Sequence, residues 1–368
     1  MTESAQVKIG YYVHHHGHGH RARAEAIAHE LPDVFTLFGT GLVSGSTFSR
    51  CVDLESDIIA TGSPEYEVAL MKCQSPVLHY APLGHLGVRE RMASIARWIG
   101  SERPDLFVVD VSAEVALFVS LMGIPTVYVR LNGHRLDPAH LTAFLNARAL
   151  LAPFASMLEP PETPEWIRRK TKYFSCLAKP VEMMGTDSKS VLVLIGGGGT
   201  AISTDRLIAA ARATPDWTWR VAGSINPPLH APENIQFLGW LNNPVTEVRR
   251  ATVLVGGAGN WVVDHVISLA KRFICIPEER PFAEQACTAA GLRRAGIAVV
   301  AERWPDATQW PDLLADAVSL DTTKLTHLAL GSHPAGAAQW LVGIAQLCRS
   351  RALEPRAADQ RRVHHGTD

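Results

Sequence analysis

Residues 9–31 run without a spacer from an apolar strand, IGYYV, through the turn HHHGHGHRAR at 14–23 into a helical period, ARAEAIAHEL. Strand, glycine-rich turn and helix in that order commit a chain to an α/β fold. They place backbone N–H groups and the side chains of the turn at the carboxyl edge of a parallel sheet. Gly17 and Gly19 permit a tight turn, and each precedes an imidazole, His18 or His20, which can take a proton near neutral pH. Two other readings of the turn stay open. Five histidines within seven positions could be a solvated loop, or could hold a metal. The metal reading lacks zinc-loop spacing and any nearby Cys or carboxylate.

The same grammar recurs further on. FVVDV at 107–111 reads as a strand, SAEVALFVSLMG as a helix and PTVYVRLN as the next strand; SVLVLIGGGGT at 190–200 then restarts the pattern. DRLIAAARAT and VVDHVISLA read as helices, and WTWRVAG, NIQFLGW, VLVGGAG and RFICIPE as strands or strand-plus-turn. A chain of 368 residues exceeds one ordinary core, so two domains are expected. The expected boundaries are an N-terminal Rossmann-like acceptor domain at 1–180 and a C-terminal Rossmann-like donor domain at 188–332. A late helix at 337–348 could pack back on the first domain, and the polar tail 352–368 is expected to be disordered. The Pro- and charge-rich stretch 153–189 contains the connection.

Composition narrows the functional classes. A net charge of −1 argues against sequence-independent nucleic-acid binding. Six cysteines without a C-x-x-C pair suggest free thiols in a reducing compartment. The polar N-terminus and the absence of a long apolar run give no signal peptide or membrane span, so a cytoplasmic setting is expected.

Two glycine turns lie in the second half. GGGG at 196–199 is a plain turn or a phosphate-approaching one. GGAGNWVVDHVISLAKRFICIPEERPFAEQ at 256–285 joins Gly-Gly-Ala-Gly to a helix whose N-terminal amides and dipole suit a pyrophosphate. The polar loop that follows carries a carboxylate and an amide able to grip sugar hydroxyls.

These blocks, with GHGHRARAEAIAHEL and RPDLFVVDVSAEVALFVSLMGIPTVYV, resemble the GT-B nucleotide-sugar glycosyltransferases. The similarity is greatest to glycosyltransferase family 28, the branch containing the peptidoglycan N-acetylglucosaminyltransferase. It covers roughly 7–45, 103–132 and 190–302, while 46–102 matches nothing. The resemblance implies two Rossmann-like domains with parallel sheets facing across a central cleft. It also implies a nucleotide-diphosphate sugar as co-substrate, a UDP-sugar first, with no metal required. Residue by residue, Gly197 and Gly198 would lie near the donor phosphates, and Gly257, Ala258 and Gly259 would supply amides to the pyrophosphate. Leu241, with Trp240 beside it, would read the base edge, and Glu284 and Gln285 would contact the sugar. The family's ribose-holding acid falls at His265, with Asp264 adjacent but about 100° away on a helix.

Transfer with inversion needs a base for the acceptor's proton and dipoles for the leaving diphosphate. His20 is the expected base, with Asp110 orienting its imidazole as in the His–Asp pair of plant and antibiotic glycosyltransferases; His18 is the reserve. Asp110 could instead be a helix N-cap. Arg130 and His134 read as surface residues or as cleft lining, with the surface preferred. The helix GVRERMASIARWIG reads as an amphipathic surface helix, with peripheral membrane contact as the alternative. The acceptor is a lipid, a small molecule, a glycan or a protein. A nucleotide-sugar hydrolase and a non-catalytic nucleotide- or carbohydrate-binding protein remain the rival functions.

Overall fold

The computed structural model describes residues 6–15, 18–59, 75, 77–177, 185–197, 200, 202–330 and 332–353. Two parallel sheets organise them. The first contains β1 (Ile9–Tyr12), β2 (Phe35–Gly39), β3 (Cys51–Asp53), β4 (Leu106–Asp110), β5 (Thr126–Val129), β6 (Ala149–Ala152) and β7 (Thr171–Tyr173), in the order β3-β2-β1-β4-β5-β6-β7. The second contains β8 (Ser190–Leu194), β9 (Thr218–Ala222), β10 (Ile235–Gly239), β11 (Val253–Gly256), β12 (Arg272–Cys275) and β13 (Val299–Val300), in the order β10-β9-β8-β11-β12-β13.

In the first half, α1 (His18–His29), α2 (Leu86–Glu102), α3 (Ala113–Leu121), α4 (Pro138–Asn146) and α5 (Glu165–Lys170) connect the strands. In the second, α6 (Thr204–Ala213), α7 (Val245–Arg250), α8 (Asn260–Ser268), α9 (Glu284–Ala295), α10 (Trp310–Val318) and α11 (Thr323–Ala329) do so, and α12 (Pro334–Leu353) follows.

Strand patterning explains why each sheet is covered on both sides. Along β1, Ile9 and Tyr11 enter one apolar cluster while Tyr12 enters the cluster on the opposite face. β4 divides likewise, with Leu106 and Val108 to one side and Phe107 and Val109 to the other. Such continuous apolar strands are the signature of a parallel sheet buried on both faces. α12 returns to the first half: Ala337, Ala338, Leu341 and Ala345 pack with Ile9 and Tyr11, and Arg349 clasps Asp105 through Nε at 2.7 Å and Nη2 at 2.5 Å. In the second half Trp219 and Trp310 meet edge to face, 5.0 Å between centroids, in the core under α10. That contact accounts for Trp219 as a packing residue.

Three local outcomes differ from the sequence reading. Arg130 is buried, not on the surface, because it forms a two-point ion pair with Glu159 that Tyr173 and Thr163 also join. Arg91, on the α2 helix read as a mixed basic and apolar face, is buried among Tyr12, Thr40, Asp57 and the Glu55 carbonyl. α12 begins before and ends after the 337–348 helical period. No helix among the described residues is long and apolar enough to cross a membrane.

In each sheet the strand order reverses beside the first strand, between β1 and β4 and between β8 and β11. Ligands of open parallel sheets bind at the carboxyl ends of strands at such reversals. The histidine turn follows β1 and Asp110 ends β4; the GGGG turn follows β8 and the GGAG turn follows β11. All four motifs therefore fall at the two switch points.

Candidate active site

His20 sits in the first turn of α1, and its Nδ1 lies 2.9 Å from Oδ2 of Asp110, which is fully buried at the end of β4. One helical turn on, Arg23 donates from Nη2 to both Asp110 oxygens, at 3.0 and 2.8 Å, and the same atom lies 3.0 Å from His20 Nδ1. A carboxylate can only accept, so Asp110 is the shared acceptor of imidazole and guanidinium. Arg23 Nη2 directs its hydrogens to the two Asp110 oxygens, so its approach to His20 Nδ1 is a contact and not a donation. Nδ1 then carries the proton to Asp110, and His20 Nε2 is left with its lone pair. Burial alone would raise the Asp110 carboxyl, but Arg23 and His20 overcome it and bring it down to about 2. The N-cap of α3 is Ser112, whose hydroxyl accepts from Val115 N at 3.2 Å, so Asp110 does not serve as the helix cap. His18 begins α1. His14 and His15 stack, with centroids 4.9 Å apart, and His14 also reaches His20, at 5.4 Å. Arg23 was not singled out from the sequence. Its signal is its spacing from His20, three positions along one helix face.

Opposite this group is the first turn of α8. Gly256, Gly257 and Ala258 leave β11, and Gly259 takes the N-cap position without a side-chain cap. The Gln285 side chain is committed to holding this turn: its Oε1 accepts from Ala258 N at 3.0 Å and from Glu278 N at 2.9 Å. A Cβ on Gly257 would lie 2.6 Å from the same oxygen, so a side chain there would push the Gln285 amide off the turn. Gly197 is exposed in the turn after β8; Gly198 lies outside the described residues. Trp240 is exposed beyond β10, and Leu241 packs partly into the core of the second half.

A cavity of about 250 Å³ separates the two groups, walled by Gly19, Arg23 and Ala26 of α1 and by Trp261, Asp264 and His265 of α8. His265 stacks on Trp261 at 3.8 Å and donates from Nδ1 to the Trp261 carbonyl at 2.7 Å. Burial pushes His265 down, so it is neutral and its Nε2 is an acceptor. Asp264 turns to the connecting segment, where Oδ2 accepts from Leu177 N at 3.4 Å. Desolvation raises the Asp264 carboxyl to about 7, against the pull of the Arg23 guanidinium.

The halves also touch beyond the cavity. His134 N donates to the Phe282 carbonyl at 2.7 Å, and Arg135 Nη2 donates to Glu284 Oε2 at 3.2 Å. The His134 side chain is exposed and near Glu162. Among the described residues, one group of side chains has the types and spacing to hold a cation: His79, Asp137 and His140. None of its members belongs to the histidine turn, of which His16 and Gly17 lie outside the described residues.

No protein-family model and no curated protein matches the sequence. Solved structures do match the fold. The glycotransferase of kitacinnamycin aligns with TM-score 0.67 at 15% identity, over 94% of this chain and 99% of its own. The spinosyn rhamnosyltransferase SpnG, solved with thymidine diphosphate, aligns with TM-score 0.64 at 14% identity over 91% of this chain and 100% of its own; it has also been solved with spinosyn aglycone. MurG of Acinetobacter baumannii aligns with TM-score 0.60 at 13% identity over 94% and 99%. The chain thus has the GT-B fold of these glycosyltransferases, two Rossmann-like parallel sheets facing across a cleft.

Proposed function

We propose that this protein is an inverting glycosyltransferase that moves a sugar from a nucleotide-diphosphate sugar to a small-molecule acceptor. The observation that carries the reading is the His20–Asp110–Arg23 group at one switch point, whose Arg23 lines a cavity shared with Asn260 and Trp261 in the first turn of α8 at the other. His20 Nε2 takes the proton of the acceptor hydroxyl as the oxygen attacks the sugar carbon. Asp110, fixed by Arg23, orients the ring and stabilises the imidazolium that forms. The sugar–phosphate bond breaks on the opposite face of the sugar. The N–H groups of Gly257, Gly259 and Asn260 then bind the diphosphate that leaves, in the field of the helix dipole, while the Ala258 N–H, expected from the sequence to join them, is already taken by Gln285 Oε1.

In the family the ribose is held by an acid. Here His265 Nε2, an acceptor on the cavity wall, would take a ribose O–H instead, while Asp264 is occupied by the Leu177 amide. Trp240 and Leu241 would flank the base. The sugar falls to Glu284, since Gln285 is spent on backbone amides. The donor is read as a UDP-sugar first, with dTDP the next nucleotide to try because SpnG was solved with thymidine diphosphate.

Parallel calorimetric titrations with UDP, dTDP, GDP and CDP test the donor half. One diphosphate binding well above the others is the expected result. No binding to any of the four would reduce the glycine turns to structural turns and remove the transferase reading.

A further inference from the structure

The contact between the halves at 132–135 and 282–284 is built at the level of backbone. Gly133 has φ +112, and a Cβ there would stand 2.5 Å from the Phe282 carbonyl and 3.1 Å from Glu284 Cα. On the facing loop Phe282 and Ala283 are both left-handed, at φ 59 and 52. Gly133 takes its positive φ without penalty, but the two left-handed non-glycine residues facing it mean that close approach is paid for in conformational strain, a pattern that clusters at ligand clamps.

Through that contact passes one side chain, Arg135. It is buried, donates from Nε to the Asn132 carbonyl at 3.1 Å, stacks its guanidinium on the Phe282 ring at 4.7 Å, and reaches Glu284. Its Nη1 lies 3.1 Å from His140 Nε2. A guanidinium only donates, so His140 Nε2 must accept and its Nδ1 must carry the ring proton. That proton points to Asp137 Oδ2 at 2.5 Å, and Asp137 Oδ1 lies 2.7 Å from His79 Nε2. This order of protons argues against a cation among His79, Asp137 and His140. A metal-bound histidine hydrogen-bonds outward through N–H to an acceptor, and here the outward partner is a donor. Burial also lowers His140 to about 4, so it stays neutral.

From this geometry we infer that Arg135, supplied by the acceptor half, is a positioning residue for the donor sugar: it fixes the Glu284 carboxylate that receives the sugar hydroxyls and closes the two loops around it. His140, Asp137 and His79 hold the guanidinium in place from behind. The inference deepens the transferase reading and rests on it.

The test separates the two. The full chain is titrated with UDP and dTDP, then with UDP-glucose, UDP-N-acetylglucosamine and dTDP-glucose, as wild type, Arg135→Gln, Arg135→Lys and Gly133→Ala. In Arg135→Gln the affinity added by the sugar falls about tenfold, the scale of one charge-assisted hydrogen bond. Its affinity for the nucleoside diphosphate alone stays within about twofold, since those contacts are assigned to 240–241, 257–260 and 265, none of which Arg135 touches. Arg135→Lys recovers part of the loss, because it keeps the charge without the planar fork. Gly133→Ala gives the same selective loss with every charge intact. Equal weakening of diphosphate and sugar nucleotide, no weakening in either variant, or a wild type that gains nothing from any of the three sugars overturns the inference. Failure of the wild type to bind either diphosphate overturns the donor-site reading itself.

Discussion

Asp110 and Asp264 face the same arginine from opposite halves of the molecule, and their carboxyls move in opposite directions. Asp110 is the more deeply buried of the two, yet it is brought down to about 2. Asp264, half-buried on the cavity wall, is raised to about 7. The difference lies in hydrogen bonds. Arg23 donates to both oxygens of Asp110 and His20 adds a further bond, whereas Asp264 receives one long bond from the Leu177 amide and only the distant field of Arg23. Direct donation outweighs burial; charge without contact does not. The first half of the cleft is thereby an ionised, rigid group built for proton transfer. The second presents backbone amides, a neutral imidazole and a carboxyl close to neutrality.

The largest expected effect tests the first half. His20→Ala lowers turnover by about 10²–10⁴-fold under the general-base reading. Activity close to wild type in a folded His20→Ala protein would take His20 out of the mechanism and leave His18 to be tried. Next, Arg23→Met removes the shared arginine. It should cost about 3–5 kcal/mol of stability, read by denaturant unfolding, because Asp110 is left buried with one partner fewer. In the wild type Asp110 contributes stability that is present above its ordinary value of 3.8 and is lost as pH falls through about 2. In Arg23→Met that acid limb should move upward; an unchanged limb would mean that His20 alone holds the carboxylate.

The smallest effect sharpens the comparison from the other side. Asp264 has a raised carboxyl, so its contribution to stability is complete below 3.8, declines as pH rises, and is gone above about 7. Asp264→Asn should therefore gain on wild type between those limits and run parallel above them. The gain is on the order of 1 kcal/mol, discounted for the residue's place on an open cavity wall. A pH-independent difference between the two proteins would mean that water in the cavity solvates Asp264 and leaves it ionised.

Much of the architecture was legible along the chain. Helical periods read over 22–31, 112–123, 205–214 and 262–270 lie close to α1, α3, α6 and α8. The apolar runs FVVDV and VLVLIG coincide with β4 and β8, since a strand buried on both faces leaves a continuous apolar signature. Short strands such as β6, ALLA, and β13, VV, were not marked, because two to four apolar residues have no period to detect. Arg130 was misjudged for a similar reason: nothing local announces that Glu159, on a separate turn, will neutralise it in the interior.

By itself, then, the sequence determined the local chemistry: two glycine turns at strand ends, a histidine and an aspartate at the carboxyl edge of one sheet, and an uncapped helix start at the edge of the other. Strand periodicity and turn chemistry act over a few residues and can be read there. Only the tertiary structure decided which groups meet. Asp110 with Arg23, Gln285 with the amides of Ala258 and Glu278, and Arg135 with Glu284 across 149 residues all depend on strand order and on the closure of two halves. Hydrogen bonds fall away within a fraction of an ångström, so their partners follow from how the sheets are set against each other and not from spacing along the chain.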